Sequence, residues 1–317
     1  VTLPLVSYLG TSRLWFEGRF TSEAKDAVLD SAEYSRTSGY LNCLSYSSSF
    51  KAFTLWYGWV YRSYLESQIY ALQNKSDLDQ TGVHFKNTVE VIQQAVDALV
   101  KNATGWHRLE YSQRHQQQLV MHHEQHGIMP VDMLSDGLRN AVAMVADLAF
   151  RAHKLNPHLG ANAALQTPGI ALIDEVDMFL HPTWQQNILG CLRSAFPLTQ
   201  FIVTTHSPQV LSTVPRDNIR VLEQGENGQI TVKTPDFSPL AHESGDALAK
   251  IMGTLREPPL ALQDDIRHYE QLVRSGQEHT DAAQTLRNAL HHAGYQFHES
   301  DLVTWRFLAA RKAGKAD

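Results

Sequence analysis

The sequence predicts an α/β fold in which helices flank a parallel sheet, and the order of its strand and helix signals is the main reason. Two short segments, "GIALI" at residues 169–173 and "TQFIVTTH" at residues 199–206, have the character of buried strands. An amphipathic pattern from Leu138 to Lys154 precedes them and predicts a long helix. Strands that alternate with helices in this way favour parallel pairing through crossover connections.

Smaller elements are predicted around this centre. We expect a strand in the opening "VTLPLVSYLG", a hairpin or meander in "HRLEYSQRHQQQLVMHHEQH", and a hairpin in "NIRVLEQGENGQITVKT" with Asn227 and Gly228 in its turn. Between about residues 20 and 105 we expect a helical insertion, because aromatic residues such as Phe53 and Tyr57 recur there at helical spacing. Packing inside the protein accounts for these aromatic side chains without any cofactor.

The composition changes near Pro239, after which the chain is polar and helical and carries no strand signals. We therefore expect a core over residues 1–239 and a helical C-terminal domain over residues 240–317. Within that domain, Pro258 and Pro259 precede two or three predicted helices.

The overall composition indicates a soluble protein. The chain has 317 residues, a formal net charge of −6 and a pI near 6.2, so it does not resemble a nucleic-acid-binding protein as a whole. No apolar run approaches the roughly 18 to 20 residues that cross a bilayer, and only Cys43 and Cys191 are present. The first residues of the chain show neither the charged n-region nor the apolar h-region of a signal peptide. We expect a cytoplasmic location without a membrane partner. Because the chain begins at Val1 inside a predicted strand, we expect its natural N-terminus to lie upstream.

Two carboxylates, Asp174 and Glu175, directly follow the strand "GIALI". An unpaired buried carboxylate is costly, so a positive partner or proton chemistry is expected beside them. An apolar strand that ends in Asp-Glu is the Walker B arrangement, in which the first acid holds a hydrated Mg²⁺ ion and the second orients or deprotonates an attacking water. Strand ends also carry acids for solubility, so this short pattern needs support from other motifs.

Two further segments supply that support. Ser135 can cap the helix that begins in "MLSDGLRN", and Gly137 allows a backbone or a phosphate to approach that helix closely. The alternative is a simple N-cap with a turn. His206 ends the predicted strand "TQFIVTTH", at the sheet edge where open α/β sheets bind ligands, and can hydrogen-bond a γ-phosphate there. A structural histidine is the alternative.

In this order and spacing, "LSDGLR", "ALIDEVDMFLHP" and "VTTHSP" resemble the ABC-type ATPases, specifically the SMC-like and OLD-like branch of the AAA-family ATPases. The resemblance implies that Ser135 and Gly137 form the signature motif that touches the nucleotide of a partner subunit. It also implies that Asp174 is the Walker B carboxylate, Glu175 the catalytic base and His206 the switch histidine. An ABC-type ATPase core is therefore the expected form of the α/β fold.

The segment "MFLHP" lies where such ATPases carry their D-loop, and His181 stands there in the position usually held by an acid. More of the chain, including "LPLVSYLGTSRLW", "SRTSGYLNCL" and "SGDALAKIMGT", looks like a narrower group, the bacterial defence ATPases of the Septu type called PtuA, some of which occur beside retrons. This likeness covers most of residues 1–257.

The resemblance to PtuA implies cofactors and partners. ATP and Mg²⁺ are the expected cofactors, with Mg²⁺ held by Asp174 through water. A homodimer or a higher homo-oligomer is expected, because ATP is sandwiched between two protomers in this family. The HNH endonuclease PtuB is the expected protein partner, and retron systems add a reverse transcriptase with its RNA–DNA product.

One departure from the family pattern concerns the phosphate-binding loop. No G-x-x-x-x-G-K-[ST] sequence occurs in the 317 residues, and "LGTSRLW" lacks both the second glycine and the lysine. Since the family places this loop upstream of the region that matches Val1, we expect it in the missing N-terminal lobe. The alternatives are a non-hydrolysing ATPase-like scaffold and an SMC-type DNA-repair ATPase, although the insertion lacks the long heptad repeats of SMC arms.

The histidine-rich segment "MHHEQHG" is the remaining candidate site. His122 or His123 could bind zinc together with His126, but no cysteine or acid lies at a fixed distance to complete a ligand set. A turn of exposed histidines is the expected structure. No nuclease motif is present, so cleavage would belong to a partner.

Overall fold

The structure is a computed structural model that describes residues 1–11, 35–44, 50–225, 227–255 and 258–313. The chain divides into two compact units, Val1–Met252 and Gly253–Asp317. The first part of the predicted insertion, up to residue 34, and most of "LGTSRLW" lie outside the described residues.

Helices and strands alternate along the first unit, and helices alone make up the described part of the second. The strands are β1 (Leu5–Leu9), β2 (His107–Ser112), β3 (Gln118–His123), β4 (Gly127–Pro130), β5 (Gly169–Ile173), β6 (Thr199–Val203), β7 (Val221–Gln224) and β8 (Ile230–Lys233). The α-helices are α1 (Phe50–Asn74), α2 (Gln80–Thr104), α3 (Asp136–Leu155), α4 (Ala163–Gln166), α5 (Pro182–Gln185), α6 (Ile188–Ala195), α7 (Pro208–Leu211), α8 (Ser244–Lys250), α9 (Gln263–Arg274), α10 (Asp281–His292) and α11 (Glu299–Ala313). Short 3₁₀ helices cover Arg36–Tyr40, Val131–Met133, Pro157–Asn162 and Arg216–Asn218. None of the helices in these described ranges is both long and apolar enough to cross a membrane.

A parallel sheet of three strands, in the order β1-β5-β6, confirms the predicted α/β class. Its register aligns Leu9 with Ile173 and Ile173 with Val203, so the three strands end level with one another. Gly169 begins β5 because the strands are tightly packed there: a Cβ at this position would lie 2.3 Å from the carbonyl oxygen of Leu5.

Burial alternates along the strands of this sheet, as expected when its two faces differ. Leu5, Leu9 and Ile173 point into the core and are almost completely buried. Ile170 and Ile202, which have the opposite orientation, are exposed.

Three long helices form the main core of the first unit. Helix α2 begins where Asp79 accepts a hydrogen bond from the amide of Gly82, and it ends at Gly105, whose φ of 79° suits a left-handed C-cap. Several aromatic residues of α1 pack inward, with Phe53 and Tyr57 buried, whereas Trp59 and Tyr70 on the same helix are exposed. Helix α3 matches the predicted helix at residues 138–154 and is buried along most of its length.

Polar side chains attach β1 and the segment at residues 36–41 to the end of α3. Arg151 is buried, pairs with Asp147 at 2.8 Å, and donates to the carbonyl oxygens of Gly39 and Leu41 at 2.9 Å each. The side-chain amide of Asn156 accepts from the amide of Leu3 at 2.7 Å and donates to the Leu3 carbonyl oxygen at 2.8 Å. The first strand is therefore held in register by side chains far away in sequence.

The two antiparallel sheets agree with the sequence predictions. Strands β2 and β3 form the antiparallel pair expected at residues 107–126, and β4, just beyond that segment, adds a third strand. Strands β7 and β8 pair as the expected hairpin. Gly228 in the hairpin turn has a φ of 75°, whereas Glu226 lies outside the described residues.

The boundary between the two compact units lies after Met252, whereas the change in composition predicts a domain boundary after residue 239. The reason is α8, whose Ala247 is fully buried in a small apolar cluster with Leu211 and Ile219. The helical character of residues 244–250 therefore does not separate them from the α/β unit.

The second unit has its own small core. Helices α9, α10 and α11 bury six residues together: Ile266, Tyr269, Val273, Ala283, Leu290 and Leu302. Thr280 caps α10 by accepting a hydrogen bond from the amide of Ala283, and Arg306 on α11 forms an ion pair with Glu278.

Candidate functional site at the carboxyl edge of the parallel sheet

The predicted acids lie at the carboxyl edge of the parallel sheet. The ladder continues one residue past the strands, because the amide of Asp174 donates to Leu9 at 2.9 Å and the amide of Thr204 donates to Ile173 at 3.0 Å. Neighbouring strands are about 4.8 Å apart, so Asp174 sits between the residues that follow β1 and β6. This is the edge at which open α/β sheets bind their ligands.

Thr204 holds both acids from the neighbouring strand end. Its hydroxyl donates to Oδ1 of Asp174 and accepts a hydrogen bond of 2.8 Å from the amide of Glu175. Its carbonyl oxygen accepts a hydrogen bond of 3.0 Å from the amide of Val176. The backbone on both sides of Glu175 is therefore attached to a single residue.

Glu175 itself has a φ of 46°, in the left-handed region that non-glycine residues seldom occupy. Such a conformation costs on the order of 1–3 kcal/mol and persists only where the surroundings impose it. The two amide hydrogen bonds to Thr204 impose it here. Asp174 and Glu175 are half-buried, so both carboxylates can reach a ligand at this edge.

His206 lies two residues beyond Thr204 and is exposed at the same edge of the sheet. The residues on either side of it are bonded to the segment that follows the acids. The hydroxyl of Thr205 donates to Oδ1 of Asp177, and the hydroxyl of Ser207 donates to Oε1 of Gln185 at 2.7 Å. The histidine loop and the acid loop are therefore joined by side-chain hydrogen bonds.

The start of α3 packs against this acid segment. Ser135 is exposed and caps the helix by accepting from the amide of Leu138 at 3.4 Å, which confirms the predicted cap. Gly137 is buried, and a Cβ there would lie 2.3 Å from the carbonyl oxygen of Phe179. The amide side chain of Asn140 donates to Met178 at 3.1 Å. The sequence predicts that a backbone or a phosphate approaches Gly137 closely, and in the structure the backbone of Phe179 does so.

His181 stands where the related ATPases usually have an acid, and its local hydrogen bonding shows why a histidine can take that place. It is the N-cap of α5, and its Nδ1 accepts a hydrogen bond of 3.3 Å from the amide of Thr183. An aspartate at an N-cap would accept the same kind of hydrogen bond. The histidine thus preserves the local turn without adding a negative charge.

Sequence reasoning missed the polar residues that connect these motifs. Thr204, Thr205, Asp177, Asn140 and Gln185 were not predicted as site residues, although each makes a hydrogen bond between motifs. The available signals were the two threonines before His206 and the second acid in "DEVD".

The histidine-rich turn does not form a metal site. His123 donates through Nε2 to Thr104 at 3.1 Å, while its Nδ1 accepts from the amides of Gln125 and His126, so both ring nitrogens are in use. His122 pairs with Glu110 at 2.9 Å. Across the described ranges of the chain, no group of three or more histidine, cysteine or acidic side chains could hold a metal ion.

Known proteins share parts of this chain. The "Retron Vc95 probable ATPase" of Vibrio cholerae serotype O1 biovar El Tor is 42% identical over 149 residues, which are 46% of this chain and 28% of that protein. The "Retron Ec83 probable ATPase" of Escherichia coli is 47% identical over 98 residues, 31% of this chain and 18% of that protein. The Septu protein PtuA of Bacillus mycoides (strain KBAB4) is 36% identical over 104 residues, 32% of this chain and 14% of that protein.

The chain therefore spans less than a third of the length of each of these relatives. Among solved structures, the SMC head domain from Thermotoga maritima has a TM-score of 0.35 and 18% identity, with 48% of each chain covered.

The resemblance to retron and Septu ATPases is confirmed by these relatives. Residues 4–212 match the family described as "AAA domain, putative AbiEii toxin, Type IV TA system". The matched residues include Ser135, Gly137, Asp174, Glu175 and His206 and make up well over half of the chain. The chain belongs to this AAA-domain family.

Proposed function

We propose that this chain is the catalytic core of an ATPase that acts in bacterial antiphage defence. The observation that carries the proposal is the placement of Asp174, Glu175 and His206 at one edge of a parallel sheet, where Thr204 holds the carboxylate of Asp174 and the backbone of Glu175. The names of the relatives support it, since the retron proteins are described as ATPases and PtuA as a Septu protein.

The donor set at this edge fits Mg²⁺. Carboxylate oxygens are the ligands that Mg²⁺ prefers, and Mg²⁺ in nucleotide sites keeps several waters and is held by one or two carboxylates. Asp174 would hold the ion through water, with its carboxylate oriented by Thr204. Bound ATP and Mg²⁺ would supply the phosphoryl group and the charge that stabilises its transfer.

The remaining chemistry falls to this chain's own side chains. Glu175 would orient the attacking water and take its proton, since a base must lie within hydrogen-bond reach of that proton. His206 would donate a hydrogen bond to the terminal phosphate from the neighbouring strand end. The hydrogen bonds that join the two loops would keep these groups at a constant separation.

The 317 residues supply the acids and the histidine of such a site, but no G-x-x-x-x-G-K-[ST] loop. ATP turnover should therefore be measured on the 317-residue chain and on the whole product of its gene. We expect the whole gene product to release phosphate in a reaction that requires Mg²⁺. In that protein, Asp174→Ala should weaken Mg²⁺-dependent nucleotide binding. Nucleotide binding without turnover in the whole gene product would favour a scaffold instead.

We further propose that ATP is sandwiched between two protomers, with Ser135 facing the nucleotide of the partner protomer. Ser135 is exposed at the N-terminus of α3, a helix of 20 residues, where the free amides and the helix dipole favour an anion. A homodimer or a higher homo-oligomer follows from this arrangement.

A mixed dimer tests the shared site. When a Ser135→Phe protomer is paired with a Glu175→Gln protomer, one composite site keeps both normal residues and the other contains both defects. We expect about half of the wild-type turnover from this mixed dimer, because one of its two sites is intact. If Ser135 acted on its own protomer's nucleotide, both sites would be defective and the mixed dimer would be inactive.

The proposed role of the dimer is to control a partner nuclease. An HNH endonuclease of the PtuB kind is the first candidate, and a reverse transcriptase with its RNA–DNA product is the second. The support is the likeness to Septu and retron proteins. Co-purification of the tagged gene product with the products of neighbouring genes tests this proposal, and recovery of the ATPase alone would count against it.

A further inference from the structure

A single hydroxyl group joins the two predicted catalytic acids. Thr204 uses its hydroxyl in both senses, as a donor to Asp174 and as an acceptor from the amide of Glu175. A hydroxyl suits this double role, because its single oxygen carries one hydrogen-bond donor and two acceptor lone pairs.

The hydroxyl acts where the backbone most needs support. Glu175 has a φ of 46°, and its own amide donates to the hydroxyl of Thr204. The amide on its C-terminal side belongs to Val176 and donates to the carbonyl oxygen of Thr204. Removing the hydroxyl would leave one of these two supports and would allow the Glu175 backbone to relax towards a more common conformation.

We infer that Thr204 is a positioning residue of this site, which acts on the reaction only through Asp174 and Glu175. Its hydroxyl fixes the Asp174 carboxylate that orients the magnesium ion and the Glu175 backbone that aims the catalytic carboxylate. This inference rests on the proposed ATPase function and gives a role to Thr204, a residue to which the resemblance assigns none.

Thr204 can be tested without disturbing the core. It is exposed, so the loss of its hydroxyl should affect geometry at the site more than stability, because exposed substitutions usually change stability little. Thr204→Val has nearly the same shape and lacks the hydroxyl. Thr204→Ser keeps the hydroxyl and loses only a methyl group.

Thr199, the first residue of β6, provides a control with the same change of side chain. Its hydroxyl is buried and has no hydrogen-bond partner, so Thr199→Val removes a hydroxyl that makes no contact with the site. Such a replacement is close to neutral or stabilising.

The experiment compares kcat, the KM for ATP, the Mg²⁺ concentration at half-maximal rate and the melting temperature in these variants of the whole gene product. We expect Thr204→Val to lower kcat by about 10- to 100-fold, as small misplacements of catalytic groups do, and to raise the Mg²⁺ requirement. The KM for ATP should change much less. Thr204→Ser should restore kcat and the Mg²⁺ requirement, and Thr199→Val should match the wild type.

The possible failures are distinguishable. If the wild type shows no Mg²⁺-dependent turnover, the proposed function fails. If the wild type is active and Thr204→Val behaves like Thr199→Val, the role of Thr204 is refuted. If Thr204→Val unfolds, Thr204→Cys replaces the hydroxyl by a weak donor and acceptor; a folded Cys variant should then be several-fold slower than Thr204→Ser, and equal rates would overturn the inference.

Discussion

Gly137 lies so close to Phe179 that a Cβ added at position 137 would come within 2.3 Å of the Phe179 carbonyl oxygen. This contact brings the first turn of α3, which begins after Ser135, against the segment that follows the two acids. Phe179 has a φ of 63°, so that segment is also held in an uncommon backbone conformation. The proposed partner-facing serine and the proposed catalytic acids therefore belong to one packed layer.

Gly137→Ala should destabilise the protein, because the clash is with backbone and no side chain can move away. Overpacking of this kind costs typically about 1–3 kcal/mol. Gly190→Ala is the matched control: Gly190 is exposed inside α6 with open space around it, and alanine in a helix is favoured over glycine by roughly 0.5–1 kcal/mol. Urea unfolding of both variants checks this prediction. Equal stability of the two would show that the close packing at Gly137 does not exist in solution.

The free energy of unfolding should depend on pH because His153 is buried. The side chain is 2% exposed, and its Nε2 lies 2.8 Å from the hydroxyl of Thr88. Burial, aided by the neighbouring His84, lowers the pKa of His153 to about 4. In the unfolded chain the pKa returns to about 6.5, so the unfolded state binds more protons between these two values.

The stabilising contribution of neutral His153 is therefore complete above about pH 6.5 and is lost as the pH falls towards 4, by up to about 3 kcal/mol. His153→Gln keeps a polar partner for Thr88 but cannot titrate. We expect the wild type to lose more stability than this variant between pH 7 and pH 4.5 in urea unfolding. Parallel pH profiles would contradict the lowered pKa, since all other histidines are common to both proteins.

We predict that the second unit binds the proposed nuclease partner, because its helices contain none of the residues of the proposed ATP site. Its helix α11 exposes Val303 and Phe307, which are 58% and 64% exposed and lie one turn apart. A double change, Val303→Glu with Phe307→Glu, should leave the fold intact because neither side chain is buried, and it should abolish co-purification of the partner. ATP turnover should stay at the wild-type rate. If the partner remains bound, the docking surface lies elsewhere, and the aromatic helix α1 becomes the next place to test.

Local signals in the sequence predict much of the fold. The strand at residues 169–173, the helix from Leu138 and its cap at Ser135 are all found in the structure. The strand predicted at residues 199–206 is also found, but it ends at Val203, three residues before the predicted end. These elements depend on periodicity and on capping residues close in sequence, so a single sequence is enough to predict them.

The connections within the site depend on partners far apart in sequence. Thr204 and Asp174 are 30 positions apart, and Thr205 and Asp177 are 28 positions apart. They meet only because β5 and β6 pair in parallel and in one particular register. Neither the register nor the close approach of Gly137 to Phe179 can be derived from residue types alone. The division after Met252 has a similar cause, because α8 packs on residues more than twenty positions earlier.

The most direct test of an ATP-hydrolysing site at this sheet edge is the rate of phosphate release by Glu175→Gln in the whole gene product. Glutamine has nearly the same shape as glutamate and cannot accept the proton of the attacking water, so nucleotide binding should persist while turnover falls by about 100- to 10,000-fold. Glu66→Gln, at an exposed position on α1, is the control and should release phosphate at the wild-type rate. Phosphate release by Glu175→Gln at a rate close to that of Glu66→Gln would contradict the catalytic role of Glu175.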